Sequence, residues 1–252
     1  MFRHPNDRRG TSSEAPLGND QFHNASSYIA SSRRLIFLRG LISGWPGPTG
    51  SGLVGRDDAF SPVDVMDDIL AMNIIDPEKP IYLLIESLGG MIDVGLMLCD
   101  VIRLSRAPVI TIGMNCSSMA TLILSAGRER LAFPNSHFML HLPRGGVQGD
   151  SRDVEILNKE MTKIKDSLVD LYIDHGVTAG IPGSGRAKIK KKILKDIDRE
   201  YYLTTPEAIE YGLVDRVVTP DDLFGKNSVV EATIMTELIE SVEETGYGTT
   251  AE

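Results

Sequence analysis

The stretch IYLLIESLGGMIDVGLMLCDVIRLSRAPVITIGMNCSSMATLILSA, residues 81–126, decides the fold. Two short apolar runs, residues 81–85 and 109–114, have the length and composition of buried strands. Each is followed by a longer apolar segment with helical spacing, residues 92–104 and 118–126. Strands that alternate with helices at this spacing are typical of βαβ units and of a mainly parallel sheet covered on both sides. The sequence therefore predicts the α/β class.

Elements of the same kind continue on both sides of this stretch. Before it, we expect a strand at residues 35–42 and a helix at 62–73; after it, two short strands at 130–133 and 137–141. A long amphipathic helix begins at Ser151, which we expect to be its N-cap. The remaining predicted elements are a basic helix containing Ile189 and Ile193 and, after the segment 206–211, a last strand near 213–218.

The two ends of the chain differ in composition from this middle part. Residues 1–27 are polar, contain two prolines and two glycines, and lack the apolar segment of a secretory signal, so we expect a flexible N-terminal arm. Residues 219–252 are expected to form an acidic C-terminal tail that is helical in part. The predicted organisation is one domain, residues 28–218, between the arm and the tail.

The overall composition excludes several function classes. The chain has 252 residues, of which 42% are hydrophobic, and its apolar segments are far shorter than the roughly 20 residues needed to cross a bilayer. A net charge of −9 opposes binding to nucleic acid. The two cysteines, Cys99 and Cys116, have no metal-site spacing, which fits a reducing compartment. We expect a soluble, cytoplasmic protein with no metal, cofactor, membrane or nucleic acid partner.

Candidate catalytic residues lie where strands end. Ser118 lies where a buried strand runs into a helix, and free backbone N–H groups at a helix N-terminus can stabilise an oxyanion. The same serine also fits an ordinary N-cap. His141 ends a predicted strand, so we expect its side chain at a sheet end, although a lone histidine there is more often structural. Gly89, in a predicted tight turn at residues 87–90, permits close backbone approach.

Taken together, Ser118, His141 and Gly89 resemble the site of the Clp protease proteolytic subunits (ClpP), and the resemblance extends over about residues 28–218. It implies a ClpP/crotonase-like fold, a repeated ββα spiral with a protruding helix-strand handle. The matching stretches are DPEKPIYL (76–83), SLGG (87–90), SMA (118–120), SAG (125–127), PNS (134–136), MLH (139–141), PRGGVQG (143–149) and EAIEYGLVD (207–215).

The resemblance implies a serine endopeptidase with a catalytic triad. Ser118 is then the nucleophile, and His141 is the general base that takes its proton and returns it to the leaving amine. Ser117 precedes Ser118, and the register of the following residues favours Ser118. Asp196 matches the third triad position, with Asp198 as the alternative because the interval from His141 is longer than the family usually has.

The resemblance also implies how a substrate is held. Backbone N–H groups of Gly89 and Met119 would form the oxyanion hole. An extended polypeptide would lie as an added strand beside Gly90 and beside Gly145 and Gly146.

Assembly and partners follow from the same resemblance. It implies two stacked heptameric rings, a tetradecamer, that enclose a chamber, with the long helix from Ser151 in the contact between rings. A partner AAA+ unfoldase ATPase would thread polypeptides into the chamber. Two other functions are considered: a catalytically inactive or regulatory Clp subunit in mixed rings with a paralogue, and a crotonase-fold acyl-CoA enzyme.

Overall fold

A computed structural model describes residues 33–43, 62–146 and 149–224. The predicted arm, residues 1–27, lies outside these ranges, as do residues 225–252, which make up most of the predicted tail. Within the described ranges the chain has a mixed α/β fold built on one sheet of six strands. No helix in these ranges is long and apolar enough to cross a membrane.

The strands and helices alternate along most of the described chain. The strands are β1 (Leu35–Ile42), β2 (Ile81–Gly90), β3 (Val109–Ser117), β4 (Glu129–Leu140), β5 (Tyr201–Thr204) and β6 (Arg216–Val217). The helices are α1 (Pro62–Ile75), α2 (Ile92–Leu104), α3 (Met119–Ser125), α4 (Ser151–Asp174), α5 (Arg186–Asp196), α6 (Thr205–Tyr211) and α7 (Pro220–Phe224). The predicted bounds of β1 and α2 are confirmed.

The sheet has the strand order β1-β2-β3-β4-β5, and β6 also pairs with β4. Strands β1 to β4 are parallel, β6 is parallel to β4, and β5 is antiparallel to β4. The pairing register shifts after Gly40 in β1, after Ile85 in β2 and after Gly113 in β3. These irregularities precede the C-terminal ends of the parallel strands, the edge where sites of parallel sheets form.

Three details of the predicted elements are wrong. Residues 87–90 are not a tight turn but the end of β2, because Gly89 and Gly90 pair with the last residues of β1. The two short strands expected at 130–141 are one strand, β4, interrupted only by a shift in register. The N-cap of α4 is Asp150 rather than Ser151, since the Asp150 carboxylate accepts hydrogen bonds from the amides of residues 152 and 153.

The main core lies on one face of the sheet, whereas the sequence predicts cover on both. The buried hydrophobic side chains of helices α1 to α6, such as Val65, Leu98 and Ile193, belong to the cluster on that face. The opposite face has a small cluster of Leu84, Ile112 and Leu131, edged by half-buried residues such as Tyr82 and by Leu223 of α7. The apolar side chains of a strand such as β2 point alternately to the two faces of the sheet. Within the described residues, other elements cover the second face only in part.

Helix α4 packs on the core only near its C-terminal end. Its buried residues are Val169 and Tyr172, whereas Val154 and Ile156 near its start are 44% and 66% exposed. The helix therefore carries exposed apolar side chains over its first turns, as expected for a handle that protrudes from the domain.

Candidate active site

Ser118 occupies the junction between β3 and α3 in a strained backbone conformation. Its φ is 57° and its ψ is −125°, a region that residues other than glycine rarely adopt. The Ser118 amide donates to the carbonyl of Met139 in β4 at 2.7 Å, and the Ser118 carbonyl accepts from the Thr121 amide at 3.0 Å. Contacts on both sides of the residue thus hold a conformation that costs energy, as is common at functional sites.

The Ser118 side chain contacts His141. Ser118 Oγ lies 2.8 Å from His141 Nε2. Both residues directly follow paired strands, since Ser117 ends β3 opposite Met139 in β4. Of the two adjacent serines, Ser118 is therefore the one that hydrogen-bonds to the histidine.

The other ring nitrogen of His141 is buried and has no hydrogen-bond partner in the part of the chain that the structure describes. If Nε2 accepts the Ser118 hydroxyl proton, the ring proton resides on Nδ1, which must then donate. Among the described residues, no acceptor lies within hydrogen-bond distance of His141 Nδ1. A buried donor without an acceptor is costly, so this position calls for a carboxylate or carbonyl.

Asp196 does not form the predicted contact with His141 in the described structure. It is the last residue of α5, and Lys192, one turn earlier, donates to its Oδ2 at 2.6 Å. The Tyr211 hydroxyl donates to the same oxygen at 3.2 Å. The alternative, Asp198, is exposed. The i,i+4 ion pair explains why the Asp196 carboxylate is held by its own helix.

Glu200, which the sequence analysis did not single out, directly precedes β5. The antiparallel pairing of β4 and β5 ends with Leu140 opposite Tyr201. The next residues along the two strands are His141, which follows β4, and Glu200, which precedes β5. Tyr202 and Arg144 lower the pKa of Glu200 by hydrogen bonds, at 2.8 and 2.9 Å, and the charge of His141 lowers it further. The register of the two strands thus sets Glu200 opposite His141, one position beyond the last paired residues.

The two predicted oxyanion donors lie side by side. A Cβ placed on Gly89 would lie 3.0 Å from the Met119 amide nitrogen and 2.7 Å from Cβ of Ser118. Met119 is the first residue of α3, so its N–H has no acceptor within that helix. The Gly89 amide donates to the Ser87 hydroxyl at 3.1 Å. Gly89 has a φ of 90°, which favours glycine.

The glycines predicted to bind substrate fall into two groups. Gly90 pairs with Ile42 at the end of β2, and a Cβ there would lie 2.1 Å from the Ile42 carbonyl oxygen, so the position has no room for a side chain. Gly145 and Gly146 are exposed and follow His141 in a segment without regular secondary structure. They border the site without contacting Ser118 in the structure.

A mostly apolar pocket opens beside the serine and the histidine. Its walls include Met119 and Leu122 from α3 and Val169 from α4, and Lys165 lies at the same pocket. A pocket with these walls beside a reactive hydroxyl can take an apolar side chain of a bound peptide.

Comparisons with known proteins identify the family of this chain. A family model described as Clp protease matches residues 56–221. The chain belongs to the Clp protease family. An ATP-dependent Clp protease proteolytic subunit 2 from Treponema denticola is 35% identical over 156 residues, which cover 61% of this chain and 73% of that relative.

Two further relatives carry related names. An ATP-dependent Clp protease proteolytic subunit from Deinococcus radiodurans is 34% identical over 157 residues, 61% of this chain and 72% of the relative. The chloroplastic proteolytic subunit 4 of Arabidopsis thaliana is 38% identical over 169 residues, 66% of this chain and 54% of the relative. Membership in the Clp protease family and these relatives together show a Clp-type peptidase function.

Proposed function

We propose that this chain is a serine endopeptidase subunit that hydrolyses unfolded polypeptides to short peptides. The observation that carries the proposal is the 2.8 Å contact between Ser118 Oγ and His141 Nε2, made by a serine with a φ of 57° at a strand-to-helix junction. A nucleophile and a base within hydrogen-bond distance are the basic requirement of this chemistry. The Clp-type peptidase family gives that contact its functional context.

The reaction has two stages, acylation of Ser118 and hydrolysis of the resulting ester. Ser118 Oγ attacks the peptide carbonyl carbon while its proton passes to His141 Nε2, and the carbonyl oxygen becomes an oxyanion. The C–N bond then breaks, His141 returns the proton to the leaving amine, and an ester to Ser118 remains. Water attacks this ester while His141 accepts its proton; the C–O bond to Ser118 then breaks, His141 returns the proton to Ser118 Oγ, and the carboxylic acid product and free Ser118 result.

The oxyanion is stabilised by the amides of Gly89 and Met119. The Met119 N–H has no acceptor within α3, whereas the Gly89 N–H donates to Ser87 in the free site. For the Gly89 N–H to donate to the oxyanion, its hydrogen bond to the Ser87 hydroxyl must therefore break. Each such donor typically contributes about 3–4 kcal/mol to the lowering of the barrier.

Glu200 is the carboxylate that orients His141 in this proposal, in place of Asp196. Its support is the unpartnered His141 Nδ1, the β4–β5 register and the charge interaction between Glu200 and His141. To accept from Nδ1, the Glu200 side chain would have to turn away from Arg144 and Tyr202. Asp196 is paired with Lys192 and Glu200 with Arg144, so either carboxylate would have to leave an ion pair to reach Nδ1.

Assembly and partners are part of the proposal. Stacked heptameric rings would cover the exposed apolar side chains of α4, such as Val154 and Ile156, and a separate AAA+ unfoldase would use ATP to deliver substrates. A cytoplasmic, reducing compartment fits the two free, buried cysteines, Cys99 and Cys116, whose pKa values are raised by burial.

The two other functions have less support. An inactive regulatory subunit would not need the contact between Ser118 and His141, which is intact. A crotonase-fold acyl-CoA enzyme would leave the same pair unexplained, and the family match is to Clp protease.

The test is hydrolysis of a short fluorogenic peptide by the full-length protein, alone and with an activating ATPase of the Clp type. We expect turnover by the wild-type protein, none by Ser118→Ala and near wild-type turnover by the matched variant Ser117→Ala. Size-exclusion chromatography checks that all three assemble alike. Equal turnover by Ser118→Ala and the wild-type protein would refute the proposal.

A further inference from the structure

Two buried hydroxyl groups, those of Thr121 and Tyr172, are linked by hydrogen bonds to the backbone carbonyl of Ser118. Thr121 of α3 is fully buried, and its Oγ1 lies 2.7 Å from the Ser118 carbonyl oxygen. Tyr172 of α4 is 7% exposed, and its hydroxyl lies 2.7 Å from the same Thr121 Oγ1. The three groups form a chain of hydrogen bonds from α4 to the backbone of Ser118.

The direction of these hydrogen bonds follows from the groups themselves. The Ser118 carbonyl can only accept, so Thr121 Oγ1 donates its one proton to it. The Thr121 oxygen must then accept from Tyr172, whose hydroxyl is the donor. Burial raises the pKa of Tyr172, so its phenol stays protonated and keeps this role.

This chain acts on the peptide unit between Ser118 and Met119. The Ser118 carbonyl accepts two hydrogen bonds from one residue, from the Thr121 amide at 3.0 Å and from its hydroxyl at 2.7 Å. The nitrogen of the same peptide unit carries the Met119 N–H, one of the two proposed oxyanion donors. An orientation fixed at the carbonyl therefore also fixes the direction of that N–H.

We propose that Thr121 and Tyr172 are positioning residues that hold Ser118 and the Met119 N–H in the orientation needed for catalysis. The inference rests on the proposed function, because it assigns these residues a role in the same reaction. Neither hydroxyl contacts Ser118 Oγ or His141 in the structure. Because Tyr172 lies on α4, a movement of that helix relative to α3 would change the hydrogen bonds that orient the Ser118 backbone.

A purely structural role would give a different pattern of mutational effects. Thr121→Val removes the hydrogen bond to Ser118 and leaves the Tyr172 hydroxyl buried without an acceptor, so it lowers both stability and rate. The double variant Thr121→Val/Tyr172→Phe removes both polar groups, and loss of both partners is often nearly neutral for stability. Stability should therefore recover in the double variant while the rate should not.

The experiment measures kcat and KM for a fluorogenic peptide, the rate of labelling by a fluorophosphonate, and the thermal midpoint. We expect kcat and labelling rate about tenfold lower in Thr121→Val and in the double variant, and about threefold lower in Tyr172→Phe, with KM within about twofold. Thr121→Ser keeps the hydroxyl and should stay within about twofold of the wild-type protein.

The matched control is Ser125→Ala, which removes another buried hydroxyl from α3. Ser125 Oγ contacts Leu122 and His175 and does not contact Ser118, so its loss should lower the thermal midpoint and leave kcat unchanged. A kcat that recovers together with stability in the double variant would overturn the inference. So would a kcat of Thr121→Val equal to that of Ser125→Ala.

These outcomes are distinct from failure of the proposed function. A wild-type protein that neither cleaves nor takes the label would refute the function and the inference together. A wild-type protein that cleaves through Ser118, with Thr121→Val equally fast, would refute the inference alone.

Discussion

Nε2 of His141 lies 2.8 Å from Ser118 Oγ, while Nδ1 of the same ring is buried without a partner among the described residues. The pair has the geometry for proton transfer, and its histidine lacks the acceptor that would fix its tautomer. Glu200, which comes next to His141 at the end of the β4–β5 ladder, is the carboxylate that we propose as this acceptor.

Substitution of the two candidate carboxylates separates their roles. We expect Glu200→Gln to lower kcat about 100-fold or more, because an amide cannot stabilise the imidazolium that forms during the reaction. Glu200→Asp should keep more of the activity than Glu200→Gln. Asp196→Asn should change kcat less than about threefold. Steady-state peptide hydrolysis checks this, and a larger loss in Asp196→Asn than in Glu200→Gln would restore Asp196 as the third triad member.

Substitution of Gly89 tests the oxyanion hole. In Gly89→Ala, the new Cβ would lie 2.6 Å from the Ser117 carbonyl oxygen and 3.0 Å from the Met119 nitrogen, so the two proposed donors must move apart. We expect kcat to fall about 100-fold or more. Gly40→Ala is the matched control, since Gly40 also has a positive φ but has no atom within 4 Å of the added Cβ. It should cost about 1 kcal/mol of stability and leave kcat unchanged; an equal loss of kcat in both variants would contradict the assignment.

The dependence of stability on pH should reflect His175. Burial, and then the charge of Arg103, lower the pKa of His175 to about 4, while the unfolded chain has the ordinary value of 6.5. Between these values the unfolded state binds the proton and the folded state does not, so stability falls as pH decreases from 6.5 to about 4. The slope is at most one proton, about 1.4 kcal/mol per pH unit.

Urea unfolding at several pH values measures this slope. In His175→Asn, an amide can still donate to Ser125 but does not titrate, so the slope between pH 6.5 and 4 should decrease. An unchanged slope would show that other groups cause the acid sensitivity.

Local patterns were sufficient to predict much of the fold. The bounds of helix α2 follow from the sequence because a mostly apolar segment starts after Gly89-Gly90 and gives way to Ser105 and Arg106 before Pro108. Ser118 and His141 were predicted to act together on the basis of the family resemblance, and both lie at the C-terminal ends of neighbouring parallel strands. These features depend on residues close in sequence, or on the rule that functional residues of parallel sheets lie at the C-terminal ends of the strands.

The rest depends on contacts that sequence periodicity does not contain. Strand β5 has only four residues, Tyr201–Thr204, too few to show an alternating pattern, and without it Glu200 has no predicted neighbour. Asp196 was selected by resemblance, yet its position one turn after Lys192 pairs it within its own helix. The contact between Thr121 and Tyr172 joins residues 51 positions apart and could not be predicted from either segment.

The most direct test of the account is to identify the residue that a fluorophosphonate labels. The full-length protein is treated with the reagent, digested and sequenced by mass spectrometry, with His141→Ala as the matched variant. We predict one adduct, on Ser118, formed far more slowly in His141→Ala because the base that activates the hydroxyl is gone. An adduct on Ser117, or active peptidase with Ser118 unmodified, would contradict the central claim that Ser118 is the nucleophile.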